Sequence, residues 1–145
     1  MKTLKIFILL LVVSTVAMAQ DINPSEVPET VRNAFMKDYN KATDVEWERD
    51  MDNYKVEFDV GRKDYAVWYT AAGNVIKKEQ DITEADLPDA VREAIKREYP
   101  GYYVNDVELT WQNNETTYQM ELEKGQEEWK VVFDAMGKTL HKRRD

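Results

Sequence analysis

The chain has 145 residues, with 28 acidic and 20 basic side chains, a formal net charge of −8 and no cysteine. The missing cysteines exclude disulfides, a thiol nucleophile and a lipid-modified cysteine. The negative charge repels phosphate backbones and anionic membrane surfaces, so nucleic acid is excluded as a favoured partner.

The first 19 residues have the pattern of a secretory signal peptide. Lys2 and Lys5 lead an apolar run, and Ala17-Met18-Ala19 forms a small-x-small cleavage site. The run is short for a permanent membrane span. We expect cleavage after Ala19 and export to the periplasm or beyond it, as a protein that is neither a lipoprotein nor stably inserted in the membrane. Removing residues 1–19 takes away two lysines and no acid, which leaves 18 basic and 28 acidic side chains and a net charge of −10.

The segment after the cleavage site predicts a helix followed by four strands. Val31, Ala34, Phe35 and Tyr39 recur at helical spacing after Pro28. Apolar and charged residues then alternate over 54–60, which is typical of a half-buried strand. Glycines at 61 and 73 predict tight turns between further short strands.

The second half of the chain repeats this order. Seven of 25 positions between 54 and 78 are identical 64 residues later: Tyr54/Tyr118, Glu57/Glu121, Gly61/Gly125, Val67/Val131, Ala71/Ala135, Gly73/Gly137 and Lys78/Lys142. The helical pattern recurs 60 residues later, from Pro88 through Val91 and Ala94 to Tyr99. Each copy is therefore predicted to be one supersecondary unit.

The offset between the copies grows from 60 to 64, so the second copy contains four extra residues. Val45 aligns with Val107 at an offset of 62, which places part of the growth near Gly101-Tyr102-Tyr103. The rest is expected in the turn around Asn113-Asn114, since insertions are best tolerated in loops.

These patterns predict an α+β fold made of two tandem repeats. Each repeat is a helix plus a four-stranded antiparallel meander, with the helices packed on one face of the sheet or sheets. We expect a signal peptide over residues 1–19, a first repeat over 20–82 and a second over 83–145, joined as one rigid body. Whether the two sheets are continuous stays open at this stage.

The second helical segment carries a family resemblance. Its sequence runs Leu-Pro-x-x-Val-x-x-Ala-Ile-x-x-x-Tyr-Pro-Gly from Leu87 to Gly101 and precedes the second meander. In this order the chain resembles the PepSY-like family of bacterial exported proteins, which is similar in fold to beta-lactamase inhibitor protein. The first copy departs from the motif, with Asn40 and Lys41 in place of the proline and glycine. The resemblance implies a fold and a binding role, without an assigned activity.

The sequence offers little support for an enzyme. The mature chain has one serine and one histidine, Ser25 and His141, at opposite ends of the chain, and His141 is interpreted as a solvent-facing strand residue. No His or Cys cluster predicts a zinc site, and no glycine-rich phosphate loop is present. We therefore predict no catalytic residue, no metal site and no cofactor. Asp50-Met51-Asp52-Asn53 could hold calcium, but a hairpin turn is the better interpretation.

Period-2 alternation instead places charged residues on the outward face of the sheet, with Trp68 among them. The candidate binding residues are Trp68, Glu57, Glu46, Glu48, Lys55, Glu121, Glu123 and Val132, where Val132 is the counterpart of Trp68 in the second copy. Asp59 and Glu108 share the outward alternation. An exposed tryptophan among charges is typical of an interface anchor. The alternatives are a merely solvated charged surface and a tryptophan that packs under a loop or against the other repeat.

The leading hypothesis is an exported, non-enzymatic binding module whose sheet face binds a basic protein or peptide, with an inhibitory or regulatory role left open. One alternative is an envelope protein that buffers calcium or basic peptides. Another is a small hydrolase built on paired carboxylates. The oligomeric state is not predicted.

Overall fold

A computed structural model describes residues 20–144. The predicted signal peptide, residues 1–19, lies outside them. The described chain is α+β, as predicted, with two helices and one nine-stranded antiparallel sheet. The helices are α1 (Glu29–Asp38) and α2 (Asp89–Glu98), each preceded by a short 3₁₀ turn. The strands are β1 (Gln20–Asp21), β2 (Thr43–Asp50), β3 (Asn53–Val60), β4 (Lys63–Thr70), β5 (Val75–Asp81), β6 (Tyr103–Gln112), β7 (Glu115–Lys124), β8 (Glu127–Asp134) and β9 (Thr139–Arg144).

Strand order in the sheet follows chain order from β1 to β9, and every neighbouring pair is antiparallel. The sheet is continuous across the middle of the chain, because β5 pairs with β6 from Lys77 opposite Gln112 to Asp81 opposite Glu108. The question that the sequence left open is thereby answered: the two halves share one sheet.

Both helices lie on the same face of this sheet. Val31 and Phe35 of α1 pack in one buried cluster with β2, β3 and β4, and Val91 and Ile95 of α2 pack in another with β6, β7 and β8. In an antiparallel pair, directly opposed residues point to the same side. The core therefore forms two clusters side by side under two helices, and within residues 20–144 the other face of the sheet carries no helix.

The helices begin at capping segments that differ in residues but share a geometry. Asn23 and Glu26 form a capping box before α1, in which the Asn23 N–H donates to Glu26 Oε2 at 2.9 Å. Thr83 and Asp86 do the same before α2, with a distance of 3.0 Å from the Thr83 nitrogen to Asp86 Oδ2. These contacts satisfy backbone donors at the start of each 3₁₀ turn, whereas the helices themselves begin after Pro28 and Pro88 without a side-chain capping hydrogen bond.

The turns after β4 and β8 pass directly under the first turn of the helices. Gly73 and Gly137 adopt φ of +83° and +79° there. A Cβ atom would lie 2.9 Å from the Thr30 carbonyl oxygen at Gly73 and 2.3 Å from that of Ala90 at Gly137. The close approach of backbone to backbone explains why both turns carry glycine.

Strand β1 pairs with β2 in the way that the end of β5 pairs with β6. Asp21 lies opposite Glu48 as Asp81 lies opposite Glu108, and the Ile22 N–H donates to the Trp47 carbonyl as the Ile82 N–H donates to that of Val107, both at 2.9 Å. The tripeptide Gln-Asp-Ile is the same at 20–22 and at 80–82.

This pairing corrects the expected place of the four extra residues. Trp47 corresponds to Val107 at an offset of 60, so no growth occurs near Gly101-Tyr102-Tyr103. The β6–β7 strands have ten residues each, against eight in β2 and β3. The turn between them is still two residues, Asn113-Asn114, both with positive φ. The growth therefore lengthens a hairpin by two residue pairs instead of enlarging its loop.

Candidate docking face

The face of the sheet opposite the helices, here called the open face, is built by alternate residues of every strand. Its rows follow the register: Glu48, Lys55 and Trp68 are opposed in turn across β2, β3 and β4. All eight predicted binding residues lie on it: Glu46, Glu48, Lys55, Glu57, Trp68, Glu121, Glu123 and Val132. The alternation in the sequence therefore assigned the correct side of the sheet, while their role in binding stays a prediction.

Trp68 differs from expectation in its exposure. Its side chain is only 9% exposed, because Lys77 Nζ lies 4.4 Å and Lys55 Nζ 5.3 Å from the ring centroid. The indole N–H donates to Asp50 Oδ2 at 3.1 Å. The expectation of an exposed tryptophan anchor is thus wrong: the ring is covered by two lysine side chains that pack along it.

Carboxylates of the same face hold those lysines in place. Lys55 pairs with Glu57 and, at 3.3 Å, with Glu48, and Lys77 pairs with Glu79. Burial alone lowers the pKa of Lys55, but the hydrogen bonds and charges of Glu57 and Glu48 outweigh it and raise that pKa. The Trp68 row is therefore a charge-balanced platform rather than the acidic part of the face.

Acidic residues on neighbouring strands also form pairs of like charges, and two of these pairs include Glu48 and Glu57, the partners of Lys55. Five pairs of carboxylates stand directly opposite each other, all on the open face: Asp21 and Glu48, Glu46 and Glu57, Asp59 and Asp64, Asp81 and Glu108, and Glu123 and Glu128. Like charges directly opposed across strands destabilise a sheet. The arrangement therefore costs stability that a different choice of residues on an exposed face would avoid.

The pair formed by Asp81 and Glu108 joins the two halves of the sheet. Desolvation and then the charges of Asp64, Asp106 and Glu79 raise the pKa of Asp81. Desolvation, followed by the charges of Glu79 and Asp81, raises the pKa of Glu108. A cavity of about 570 Å³ and another of about 240 Å³ both include Asp81 and Glu108 in their walls. We call Asp59, Asp64, Glu79, Asp81 and Glu108 the acidic centre.

Asp59 and Asp64 form the outer part of the acidic centre. Desolvation and then a hydrogen bond and the charge of Asp64 raise the pKa of Asp59. The repulsion from Asp64 therefore disfavours the ionised form of Asp59. A cation placed near them would remove the same repulsion.

Charge reverses toward the last strand. Lys130 of β8 lies opposite Arg143 of β9 on the open face, beside His141, which is exposed on a strand as expected. Lys130 also pairs with Glu121 at 2.9 Å. We call Lys130, His141 and Arg143 the basic margin. The open face is therefore acidic near its centre and basic at its last strand.

Sequence reasoning missed several residues of this face. Asp64, Glu79 and Asp81 belong to strands β4 and β5, whose period-2 alternation of charged residues was the available signal. Tyr103 is the exposed aromatic residue that Trp68 was expected to be: it lies opposite Glu123 on the open face and is 78% exposed. Nothing in the sequence separates Tyr103 from the buried tyrosines, since it lies at the start of its strand.

Within residues 20–144, no group of three or more His, Cys, Asp or Glu side chains converges as metal ligands. Over the same residues, neither helix has the length and apolar character to cross a bilayer.

Comparison with known proteins places this sheet in a family. The family described as "Putative beta-lactamase-inhibitor-like, PepSY-like" matches residues 14–77 and, again, residues 52–141. The chain belongs to this PepSY-like family. The resemblance predicted from Leu87 to Gly101 is thereby confirmed.

Solved structures share the PepSY-like fold. A BLIP-like protein from Bacteroides fragilis is 26% identical, with a TM-score of 0.66 over 81% of this chain and 86% of that one. A DUF2874 family protein from Bacteroides uniformis is 24% identical, with a TM-score of 0.68 over 81% and 88%. A protein from Bacteroides eggerthii described as "putative periplasmic" is 24% identical, with a TM-score of 0.69 over the same shares. Among curated proteins, none matches the chain.

Proposed function

We propose that this PepSY-like protein is an exported, non-enzymatic binding module that docks a basic protein or peptide on its open face. The partner's cationic segment lies over the acidic centre. Binding there would occupy the partner's basic residues, which gives the module an inhibitory or regulatory effect. Export is supported by the signal-peptide pattern of residues 1–19.

The opposed carboxylate pairs carry this proposal. Five such pairs on one face, with none between the strands on the helix face in the described register, represent a retained cost. Groups that repel in the free protein and would be neutralised by a partner favour the bound state. A merely solvated surface would gain nothing from placing its acids directly opposite each other.

The raised pKa values of Asp81 and Glu108 support the same conclusion. A lysine or arginine side chain brought beside them would lower both pKa values. Binding would then be weaker at acidic pH, where these carboxyls are protonated, and weaker in high salt, where exposed charges are screened.

The two halves further support a duplicated docking surface. The Gln-Asp-Ile tripeptide has the same sheet partners at 20–22 and at 80–82. We therefore propose that the chain holds two copies of one helix-plus-four-strand unit, with the boundary predicted between residues 82 and 83 moved back so that the second copy begins at residue 80. The acidic centre then lies at the joint between the copies, where neither unit alone would form it.

The test uses an alternating peptide, acetyl-(Lys-Ala)₄-amide, and its acidic counterpart, acetyl-(Glu-Ala)₄-amide, in calorimetric titrations at low salt. We expect saturable binding of the lysine peptide and none of the glutamate peptide. The double variant Asp81→Asn, Glu108→Gln should weaken binding by about tenfold or more, since it removes two charge-assisted contacts.

The matched control is the double variant Glu29→Gln, Glu93→Gln, which removes the same charge from the helices on the other side of the sheet. Its affinity should remain within about twofold of the unmodified protein, as expected for screened, distant charges. Equal losses in both double variants would show attraction by net charge alone and would overturn docking on the open face.

A further inference from the structure

The basic margin forms a small recess of its own. A cavity of about 350 Å³ is lined by Gln119, Lys130, Val132, His141 and Arg143. These residues come from the last three strands, with Gln119 opposite Val132 and Val132 opposite His141. Two cationic groups and an amide therefore surround an apolar floor on the same face as the acidic centre.

Protection of the sheet edge does not account for this cluster. Lysine and arginine on an edge strand discourage pairing with other sheets, and that role fits β9. Lys130 lies on β8, which is paired on both sides. It is directly opposed by Arg143, so two cationic side chains stand next to each other on the open face.

We infer that the recess between Gln119, Lys130, Val132, His141 and Arg143 binds a carboxylate of the partner that docks on the open face. The inference rests on the proposed docking function. Lys130 and Arg143 would donate to the carboxylate oxygens, and arginine presents a fork of donors that matches a carboxylate. Gln119 offers an amide to the adjoining peptide group, and Val132 packs beneath it.

A carboxylate fits the recess better than a phosphate does. Glu121 Oε1 lies 2.9 Å from Lys130 Nζ, so one negative charge already stands at the edge of the recess. A dianion would meet this charge and the strongly negative protein around it. A single negative charge on a planar group is repelled less and can still contact both cationic side chains.

The strand spacing sets the geometry of the partner. Glu108 lies on β6, and Lys130 and Arg143 lie two and three strands further along the sheet. Their row is also displaced by two residues along the strands, because Glu108 lies opposite Gln119 and Gln119 opposite Val132. At about 4.8 Å per strand and about 3.4 Å per residue, the two cations are about 12 to 16 Å from Glu108. The partner therefore carries a cation and a carboxylate that far apart, a distance spanned by about four or five extended residues.

The experiment titrates ¹⁵N-labelled protein with acetyl-alanine, acetyl-glutamate α-amide, acetate, inorganic phosphate and the neutral acetyl-alaninamide, followed by amide chemical shifts. None of these probes carries a cation, so the result does not depend on the acidic centre or on the lysine-peptide test. We expect saturable shifts at Gln119, Val132 and His141 with both peptide carboxylates. Tighter binding of acetyl-alanine would identify a chain end as the ligand, and tighter binding of acetyl-glutamate α-amide would identify an acidic side chain.

Arg143→Gln should weaken this binding by about fivefold or more, because it removes the forked donor. The matched control is Lys142→Gln, which removes the same charge from the next residue of β9, on the side where its Nζ lies 5.8 Å from the Trp129 ring. The control should remain within about twofold, and the melting temperatures of both variants establish that they are folded.

Three outcomes would overturn the inference. The neutral amide could cause the same shifts, which would show that charge is not recognised. Phosphate or acetate could bind as tightly as the peptide carboxylates, which would remove the assignment to a partner chain. Arg143→Gln and Lys142→Gln could weaken binding equally, or no probe could saturate.

Discussion

Asp81 is a single residue of the proposed docking face whose negative charge lowers the stability of the fold. It opposes Glu108 across the β5–β6 pairing, and desolvation together with neighbouring carboxylates raises its pKa. A carboxyl whose pKa is raised by folding binds protons more readily in the folded than in the unfolded chain. Its contribution to stability is therefore unfavourable above the raised pKa and is relieved as pH falls through it.

We accordingly expect Asp81→Asn to stabilise the protein at pH 7, by about 0.5 kcal/mol in the free energy of unfolding, because one like-charge opposition is lost. The gain should shrink as pH falls toward the ordinary aspartate value near 4, since the unmodified protein is then protonated at this site. Urea denaturation at several pH values measures both effects. Asp89→Asn, which removes a carboxylate paired with Arg92 on α2, should give no such gain; a loss of stability in Asp81→Asn at pH 7 would contradict the prediction.

Trp68 marks the limit of what alternation can reveal about a residue. Period 2 correctly gave its side of the sheet, because the pleat fixes that direction. Its burial depends on Lys55 and Lys77, which come from two neighbouring strands and lie over the ring. Predicting which side chains of other strands cover a residue requires knowing the strand register. That register cannot be derived from a single sequence by the alternation of residue types alone.

The need to know the strand register also explains which parts of the site were predicted and which were missed. Glu57 and Glu121 were found from alternation within their own strands. The opposition of Asp81 to Glu108 joins residues on either side of helix α2, so it could not be read locally. The fold was easier to anticipate, since helical spacing, turn glycines and repeated order are all local signals.

At the scale of elements, the turns beneath the helices determine where each helix sits on the sheet. The β4–β5 turn contacts α1 through Gly73 and through Thr30, whose hydroxyl donates to the Ala71 carbonyl at 2.9 Å. The β8–β9 turn approaches Ala90 of α2 even more closely at Gly137. A side chain at either glycine would push helix and turn apart.

Gly137→Ala should therefore cost more than about 3 kcal/mol, because the added methyl meets backbone atoms that cannot move independently. Gly125→Ala is the matched control: Gly125 also has a positive φ, +64°, but a Cβ there would have no neighbour within 4 Å. The control should cost only the strain of the left-handed conformation, about 1 kcal/mol. Chemical denaturation of both variants compares them, and equal losses would refute the packing explanation.

At the scale of the whole molecule, two hydrophobic clusters share one sheet. Each cluster lies under its own helix, and the β5–β6 pairing joins them by backbone hydrogen bonds. Unfolding the second half would leave β5 as an unpaired edge strand. We infer that the halves unfold together.

Val91→Ala tests this inference from the second half. Val91 is a fully buried residue of α2, so the free energy of unfolding of the variant should fall by about 2 kcal/mol. Amide hydrogen exchange should accelerate by the same free energy in β3 and β4 as in β7 and β8. Met36→Ala, at a position that is 64% exposed on α1, should change neither set. Unchanged exchange in the first half of Val91→Ala would show two independent folding units.

The longer hairpin between β6 and β7 has a consequence for how such a face could change over time. Two added residue pairs lengthen it by about 7 Å, yet every side chain below keeps its side of the sheet, because the growth is an even number on each strand. The length of this hairpin can therefore change without a change in which residues face the core. Adding or removing pairs of residues at the tip of the β6–β7 hairpin would change the area of the open face that a partner could contact. The packing beneath the helices would stay the same.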